Sequence, residues 1–474
     1  MKKLFYKPDN AFLADCIPFY EDGVFHIFYL LDYRKEGEVG TPWFKITTTD
    51  FVHYVDHGEM LKRGSKKEYD QYVFTGSVIK DKKGKYHIWY TGHNIDMDPG
   101  NYVQAVMHAE SDDLEHWTKI PGDTFITPDP KLYEHRDWRD PFIYFDEVDG
   151  LYHMLLSTRK CSGPVRRRGT TAMLVSKDLH KWELREPFYM PELYYAHECP
   201  DLFKIGDWYY HVFSEFSRYH VTRYVMSKSL KGPWITPRND KFDGRAFYAA
   251  KTVSDGKRRY VIGWNPTKMN DKDDGLWQWG GNLVAHEVIQ NEDGTLRVKM
   301  IDTIDKAFDK GEQLQFVDRL GAKVDLKRVV SPGGAFTAYQ NIDNSGTYRI
   351  DVDFTFEEGT ERVGLLLNNS VEKDAGYGFF VEPLMQRLVF EQFPVFPQYS
   401  FVSVYLERPI TLIPNKLNHL KVIVEDNMAT AYLNDEVALS TRMYDFCSKK
   451  IGVLVHGTAS FKNIIFKKTD KEVL

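Results

Sequence analysis

One short phrase returns five times in the first 290 residues, and it constrains the fold more than any other feature of the chain. It reads Gly23-Val-Phe-His-Ile-Phe-Tyr29, Gly84-Lys-Tyr-His-Ile-Trp-Tyr90, Gly150-Leu-Tyr-His-Met-Leu-Leu156, Asp207-Trp-Tyr-Tyr-His-Val-Phe213 and, more weakly, Lys257-Arg-Arg-Tyr-Val-Ile-Gly-Trp264. With His26, His87, His153, His211 and Val261 as markers, the copies lie 61, 66, 58 and 50 residues apart. Each is an apolar, aromatic run entered through a Gly or Asp turn, the signature of a buried strand after a hairpin. A second phrase follows the first four copies: Thr49-Asp-Phe-Val-His-Tyr54, Ser111-Asp-Asp-Leu-Glu-His-Trp117, Ser176-Lys-Asp-Leu-His-Lys-Trp182 and Ser227-Lys-Ser-Leu-Lys-Gly-Pro-Trp234. It reads as a turn into an outer strand pinned by one large aromatic.

Repeats of this length, with several short strands and almost no helical periodicity, are the pattern of propeller blades. The expected fold is therefore all-β, with a five-bladed β-propeller over residues 1–298; an array of β-sandwiches is the blander alternative. The repeat stops near residue 300, at a charged stretch from Asp302 to Glu312, so 299–320 is expected to be a linker. Beyond it, runs such as Tyr348-Arg-Ile-Asp-Val-Asp-Phe-Thr-Phe356 and Leu417-Asn-His-Leu-Lys-Val-Ile-Val424 alternate with period two between Gly, Asn and Asp turns. That alternation predicts a lectin-like C-terminal β-sandwich over 321–474.

Composition narrows the function classes. The formal net charge of -6 on 474 residues excludes bulk positive charge as a means of holding nucleic acid or a membrane surface. Apolar residues at 42% and charged residues at 27% suit packed domains and exclude disordered and fibrous chains. The 10 Trp, 29 Tyr and 31 Phe are a surplus that suits strands and flat stacking sites for sugars. No apolar window has the length of a membrane span, and Met1 to Tyr6 do not look like a signal peptide, so a soluble, cytoplasmic protein is expected. Cys16, Cys161, Cys199 and Cys447 are too scattered for a disulfide framework and form no CxxC pair, so neither a zinc site nor any other metal or cofactor is expected. A homo-oligomer is left open.

The first strand of each blade lines a propeller's channel. Reading back 10 to 13 residues from the His markers reaches Asp15, Gly76, Asp140 and the pair Glu198 and Asp201. Three blades would then aim carboxylates at one funnel. Like charges in a partly desolvated cleft separate in proton affinity, which is what acid and base roles in glycosidic cleavage require. Any one of these acids is more often a turn residue; the conjunction carries the reading. The recurring His markers read as hydrogen-bonded structural residues, and Arg166-Arg167-Arg168 as a solvated hairpin able to meet a phosphorylated sugar.

Four segments resemble glycoside hydrolase family 32, the invertases, inulinases and levanases. Phe12-Leu13-Ala14-Asp15 is similar to its Trp-Met-Asn-Asp motif, Phe74-Thr75-Gly76-Ser77 to Phe-Ser-Gly-Ser, Arg139-Asp140-Pro141 to Arg-Asp-Pro and Glu198-Cys199 to Glu-Cys. Residues 244–252 and 279–287 resemble its closing-blade segments. The resemblance implies a propeller followed by a sandwich and retaining hydrolysis of β-fructofuranosides. It makes Asp15 the nucleophile, Glu198 the acid and then base, and Asp140 with Arg139 the clamp on the sugar. Phe12, Phe74, Ser77, Tyr248 and Trp279 would border the substrate, a small carbohydrate.

Ala14 stands where the family has Asn, and Cys16-Ile17-Pro18 replaces Pro-Asn-Gly, so hydrogen bonds that select ordinary sucrose or inulin are altered. Cys16 and Cys199 each adjoin an expected catalytic acid and read as small core residues. Exo-acting cleavage of sucrose-like or fructo-oligosaccharide bonds is the leading expectation. An inverting α-arabinofuranosidase or β-xylosidase, and a sugar-binding relative without turnover, are the alternatives.

Overall fold

The computed structural model describes residues 3–35, 40–97, 102–318, 320–331, 333–373, 375–393 and 406–469; Met1 and Lys2 of the N-terminal stretch lie outside them. The chain is nearly all β, and its longest described helix is Asp302–Lys306. Among the described residues, no helix is long and apolar enough to cross a membrane.

Up to residue 299 the strands form five antiparallel meanders, taken here as units one to five. Their first strands are Phe12–Glu21, Tyr72–Lys80, Tyr133–Asp146, Glu198–Ile205 and Tyr248–Ser254. Each repeated phrase supplies the second strand, namely Val24–Asp32, Tyr86–His93, Leu151–Lys160, Trp208–Glu215 and Arg259–Lys268. A third strand follows in every unit and a short fourth in all but unit four, where the bridge Met226↔Ile235 takes its place. The first and last units join through Leu13↔Gly281, merging them into one eight-stranded sheet.

The second phrase has a shared local cause. Thr48, Ser111 and Ser176 each accept, at the side-chain hydroxyl, the amide N–H of the residue three places on. Those residues, Phe51, Leu114 and Leu179, have φ of 60°, 65° and 64°, a left-handed conformation that the hydroxyl and the Asp side chains of the turn support. The aromatics that close the phrase then lock neighbours together: Trp117 meets Phe28 of unit one edge-on at 6.0 Å, and Trp182 meets Trp89 of unit two at 5.5 Å. Trp43, Trp89, Trp138 and Trp264 are fully buried; a buried Trp of this kind is worth about 3–5 kcal/mol against Ala.

Among the described residues beyond 300, two antiparallel sheets of seven and six strands share one apolar core that includes Ile350, Val352, Leu365, Phe379, Val422 and Val453. The stretch expected as a linker is itself structured, since Glu312–Gln313 pairs with the final strand, Thr458–Lys468. A polar seam ties this region to the five units. Arg442 donates to the carbonyls of Pro266 and Asn265, and Arg408 to Asn239 Oδ1 and the Lys241 carbonyl.

Candidate active site

Every first strand is interrupted by a register shift next to the same local position: Ala14/Ile17, Phe74/Gly76, the point opposite Leu155/Ser157, Glu198/Asp201 and Tyr248/Lys251. A bulge leaves a residue unpaired and re-aims its side chain. Four residues at these bulges have positive φ: Asp15 at 39°, Asp140 at 59°, Cys199 at 50° and Ala249 at 47°. Backbone held in this region costs about 1–3 kcal/mol per residue and tends to collect at functional sites. Here it turns acids of units one, three and four toward one cavity of about 550 Å³.

Asp15, Asp140, Glu198, Arg139, Phe74, Tyr248 and Trp279, all expected from sequence, line that cavity. Asp15 Oδ2 accepts a hydrogen bond from the Thr75 hydroxyl at 2.6 Å, and its Oδ1 accepts from Trp264 Nε1 at 3.1 Å. Glu198 Oε2 accepts from the Tyr248 hydroxyl at 2.6 Å and Oε1 from Arg139 at 3.1 Å. Asp140 is 4% exposed; its amide donates to Thr91 Oγ1 and its Oδ2 accepts from the Cys199 amide at 3.0 Å. Arg139 thus lies among three carboxylates, 2.6 Å from Asp137, 3.1 Å from Glu198 and 3.8 Å from Asp140.

The electrostatics follow from burial and like charge. Burial, with Asp140 and Glu198 nearby, pushes Asp15 up to about 7, against the opposing pull of the Thr75 and Trp264 donors. Burial likewise raises Asp140 to about 6, with Arg139 pulling down and Glu198 pushing up. Arg139 loses hydration by burial, yet the surrounding carboxylates raise its pKa and hold it charged.

Two expected contacts lie elsewhere. Ser77 is buried, and its hydroxyl accepts the Ile143 amide, tying unit two to unit three instead of facing the cavity. Phe12 is also outside the lining; it carries the Arg34 guanidinium 3.7 Å above its ring, and Arg34 donates to the carbonyls of Trp279 and Gly280, so Phe12 braces the rim. Asp201, read as pointing into the funnel, instead accepts the Thr252 amide at 2.6 Å and joins unit four to unit five. Gly76 has no room for a side chain, since a Cβ there would stand 2.0 Å from the Trp89 carbonyl oxygen.

Several lining residues carried no motif. Asp32, Thr41, Tyr72, Phe216 and His220 reach the cavity from loops and strand ends, and His220 stacks on Tyr248 at 3.9 Å. Trp264, which holds Asp15, closes the fifth copy of the repeated phrase and was visible only as a repeat residue. Cys16 and Cys199 are buried free thiols, Cys16 against the Gly263 carbonyl and Cys199 against Thr75. Arg166 and Arg167 lie on an exposed turn, as expected.

The chain is 23% identical over 506 residues to the levanbiose-producing levanase of Bacillus subtilis (strain 168), an alignment covering 96% of this chain and 87% of that protein. It is 25% identical over 313 residues to the sucrose-6-phosphate hydrolase of Vibrio alginolyticus, covering 58% of each, so here it spans little more than half of the relative. Among solved structures, the exo-inulinase of Aspergillus awamori superposes with a TM-score of 0.76 at 15% identity, covering 99% of this chain and 98% of that one, a likeness of fold. The sequence profile of the glycosyl hydrolases family 32 N-terminal domain matches residues 6–298, the span of the five units and of every acid in the cavity, and the chain accordingly belongs to glycoside hydrolase family 32.

Proposed function

We propose that this glycoside hydrolase cleaves β-fructofuranosidic bonds of sucrose-like or fructo-oligosaccharide substrates, with retention, from the chain end. In this reading the five meanders are the blades of a propeller over 1–298, 299–320 connects, and the paired sheets of 321–474 are a supporting β-sandwich. The observation that carries it is the convergence of Asp15, Asp140 and Glu198 on one cavity, with the first held by Thr75 and Trp264 and the last by Arg139 and Tyr248.

Asp15 attacks the anomeric carbon while Glu198 gives its proton to the departing glycosidic oxygen, leaving a fructosyl ester on Asp15 and a free alcohol or sugar. Glu198, now ionised, takes a proton from water, whose oxygen displaces Asp15 and restores both groups. Asp15, raised to about 7, divides between its protonated and ionised forms near neutrality, and Asp140, raised to about 6, is largely ionised there. The productive form has Asp15 ionised and Glu198 protonated. Arg139 and Asp140 grip the sugar hydroxyls, and Phe74, Tyr248 and Trp279 wall the ring. A cavity of this size, lined from several units, suits a terminal sugar and supports exo action. Four free cysteines support a reducing, cytoplasmic setting.

The test is product release from sucrose, kestose, inulin, levan oligosaccharides and aryl pentosides, with the anomer of the first-formed product read by NMR. Fructose should appear in its retained configuration, and Asp15→Asn and Glu198→Gln should each lower kcat by about 10³-fold or more. Cleavage of a pentoside with inversion, or no cleavage at all, would overturn the proposal.

A further inference from the structure

Between units two and three, away from the acid cavity, the fold gathers three histidines and two carboxylates that no catalytic role uses. His87 and His108 lie on adjacent strands of unit two, Glu110 follows His108 by two residues on the same face, and Asp123 sits in the loop beyond. His180 comes across from the turn phrase of unit three. The cluster opens into a second cavity of about 520 Å³, lined by His87, Glu110 and His180 among others, which shares no lining residue with the first.

The donor atoms stand at spacings that one ion could bridge, with hydrogen bonds holding the histidines around them. His87 Nδ1 is 2.9 Å from His108 Nε2 and 3.8 Å from Glu110 Oε1, and His180 Nε2 is 3.5 Å from the same Glu110 oxygen. Ligands bound at 2.0–2.1 Å around a tetrahedral ion lie about 3.3 Å apart. The outer nitrogens are already engaged. Asp123 Oδ2 accepts Nδ1–H from both His108 and His180, each at 2.7 Å, which leaves the two Nε2 lone pairs facing inward. A carboxylate behind a histidine in this way is the usual support of a metal-bound imidazole.

His87 supplies the deciding observation. A hydrogen bond from its Nδ1 to the His108 Nε2 lone pair requires the proton on Nδ1, so its Nε2 is a bare lone pair. That atom is buried without a hydrogen-bond partner and stands 3.6 Å from the Asp81 carboxylate, an unfavourable pairing in a side chain only 2% exposed. A cation on Nδ1 reverses this: the proton moves to Nε2 and points at Asp81.

We infer that His87, His108 and Glu110 form a binding site for a divalent transition metal ion of the zinc type, with His180 standing against Glu110 at its open side, a clamp between the second and third units. Imidazole with one carboxylate suits zinc among the common ions. The cysteine pattern holds no hint of the site, because none of its ligands is a cysteine.

The experiment uses the full chain stripped with chelator and titrated with zinc chloride, with bound metal measured after gel filtration and affinity by competition with a chromophoric chelator. The expected result is one tightly held zinc per chain, a rise in Tm on adding zinc, and affinity at least about tenfold weaker in His180→Ala and in Glu110→Gln. Both changes are at the partly exposed side of the cluster, and Tm without metal checks that each variant folds. His153→Ala, in a separate cluster with Asp146 and Asp149, should leave the binding unchanged. No stoichiometric binding by the parent chain, or equal binding by Glu110→Gln and His180→Ala, would overturn the inference and leave the cluster a hydrogen-bonded network.

Discussion

Asp15, on the wall of the acid cavity, and Asp243, closed off from solvent, are both strongly desolvated, and their carboxyl groups behave in opposite ways. Asp243 sits in the seam between the five units and the C-terminal sheets. It accepts from the Ser440 amide and hydroxyl, the Gly244 amide and His286 Nε2, and His286 in turn meets the Tyr432 hydroxyl. Burial pushes its pKa up, but His286 and Ser440 outweigh that, and the carboxyl stays below the ordinary range. Asp15 has two donors and two acidic neighbours, and ends near 7. Burial alone therefore decides neither case. The count of donors and the sign of the neighbours do, and a carboxylate left short of partners is one held ready for chemistry.

Removing the satisfied carboxylate should have the larger effect on stability. Asp243→Ala strands donors from Ser440, Gly244 and His286 inside the seam and should cost about 3 kcal/mol in urea unfolding at pH 7. A loss under about 1 kcal/mol would mean that the seam contributes little and the contrast with Asp15 is empty.

Asp15→Asn should do the reverse. As pH rises from about 4, the unfolded chain releases the Asp15 proton first, while the folded chain keeps it until about 7, so ionising this group costs folding energy across that window. The Asn variant escapes that cost and should be more stable at pH 8 by about 1–2 kcal/mol after its lost hydrogen bonds are counted, with no gain at pH 4. Thermal unfolding at both pH values reads this; a gain independent of pH would show that the carboxyl charge is not the cause.

The smallest effect tunes the same group. Thr75 donates to the ionised form of Asp15, so Thr75→Val should raise the pKa further. The acidic side of the kcat/KM profile should then move up by about 0.5–1 pH unit. A profile lowered uniformly without displacement would assign Thr75 to packing alone.

The repeated phrase made most of the first 300 residues legible, because a buried strand entered through a tight turn leaves the same apolar run wherever it occurs. The acids were legible for a related reason: each lies a nearly constant distance upstream of its marker. That spacing locates a strand position without saying which face the side chain takes after a bulge, and a one-residue slip exchanges the faces, so it also picks out Asp201, which turns to the Thr252 amide; Ser77 enters only through the motif resemblance, which gives no side-chain direction either. His220, Phe216 and Asp32 were invisible because loop residues carry no periodicity. The recurring His markers read together as structural, and His211, bonded to Thr171 and the Asp201 carbonyl, fits that reading.

The order of the strands, the turns between them and the identity of the three acids follow from the sequence alone, since each depends on local chemistry that repeats along the chain. What only the tertiary structure decided is where those side chains meet: the bulge that turns Asp15 toward Glu198, the donors that Trp264 and Tyr248 bring to those acids, and the approach of His180 to His87 and His108. These contacts join residues 50 to 249 positions apart. A one-dimensional pattern states what each unit contains, and the close packing of one unit against the next sets the distances on which proton affinity and metal binding depend.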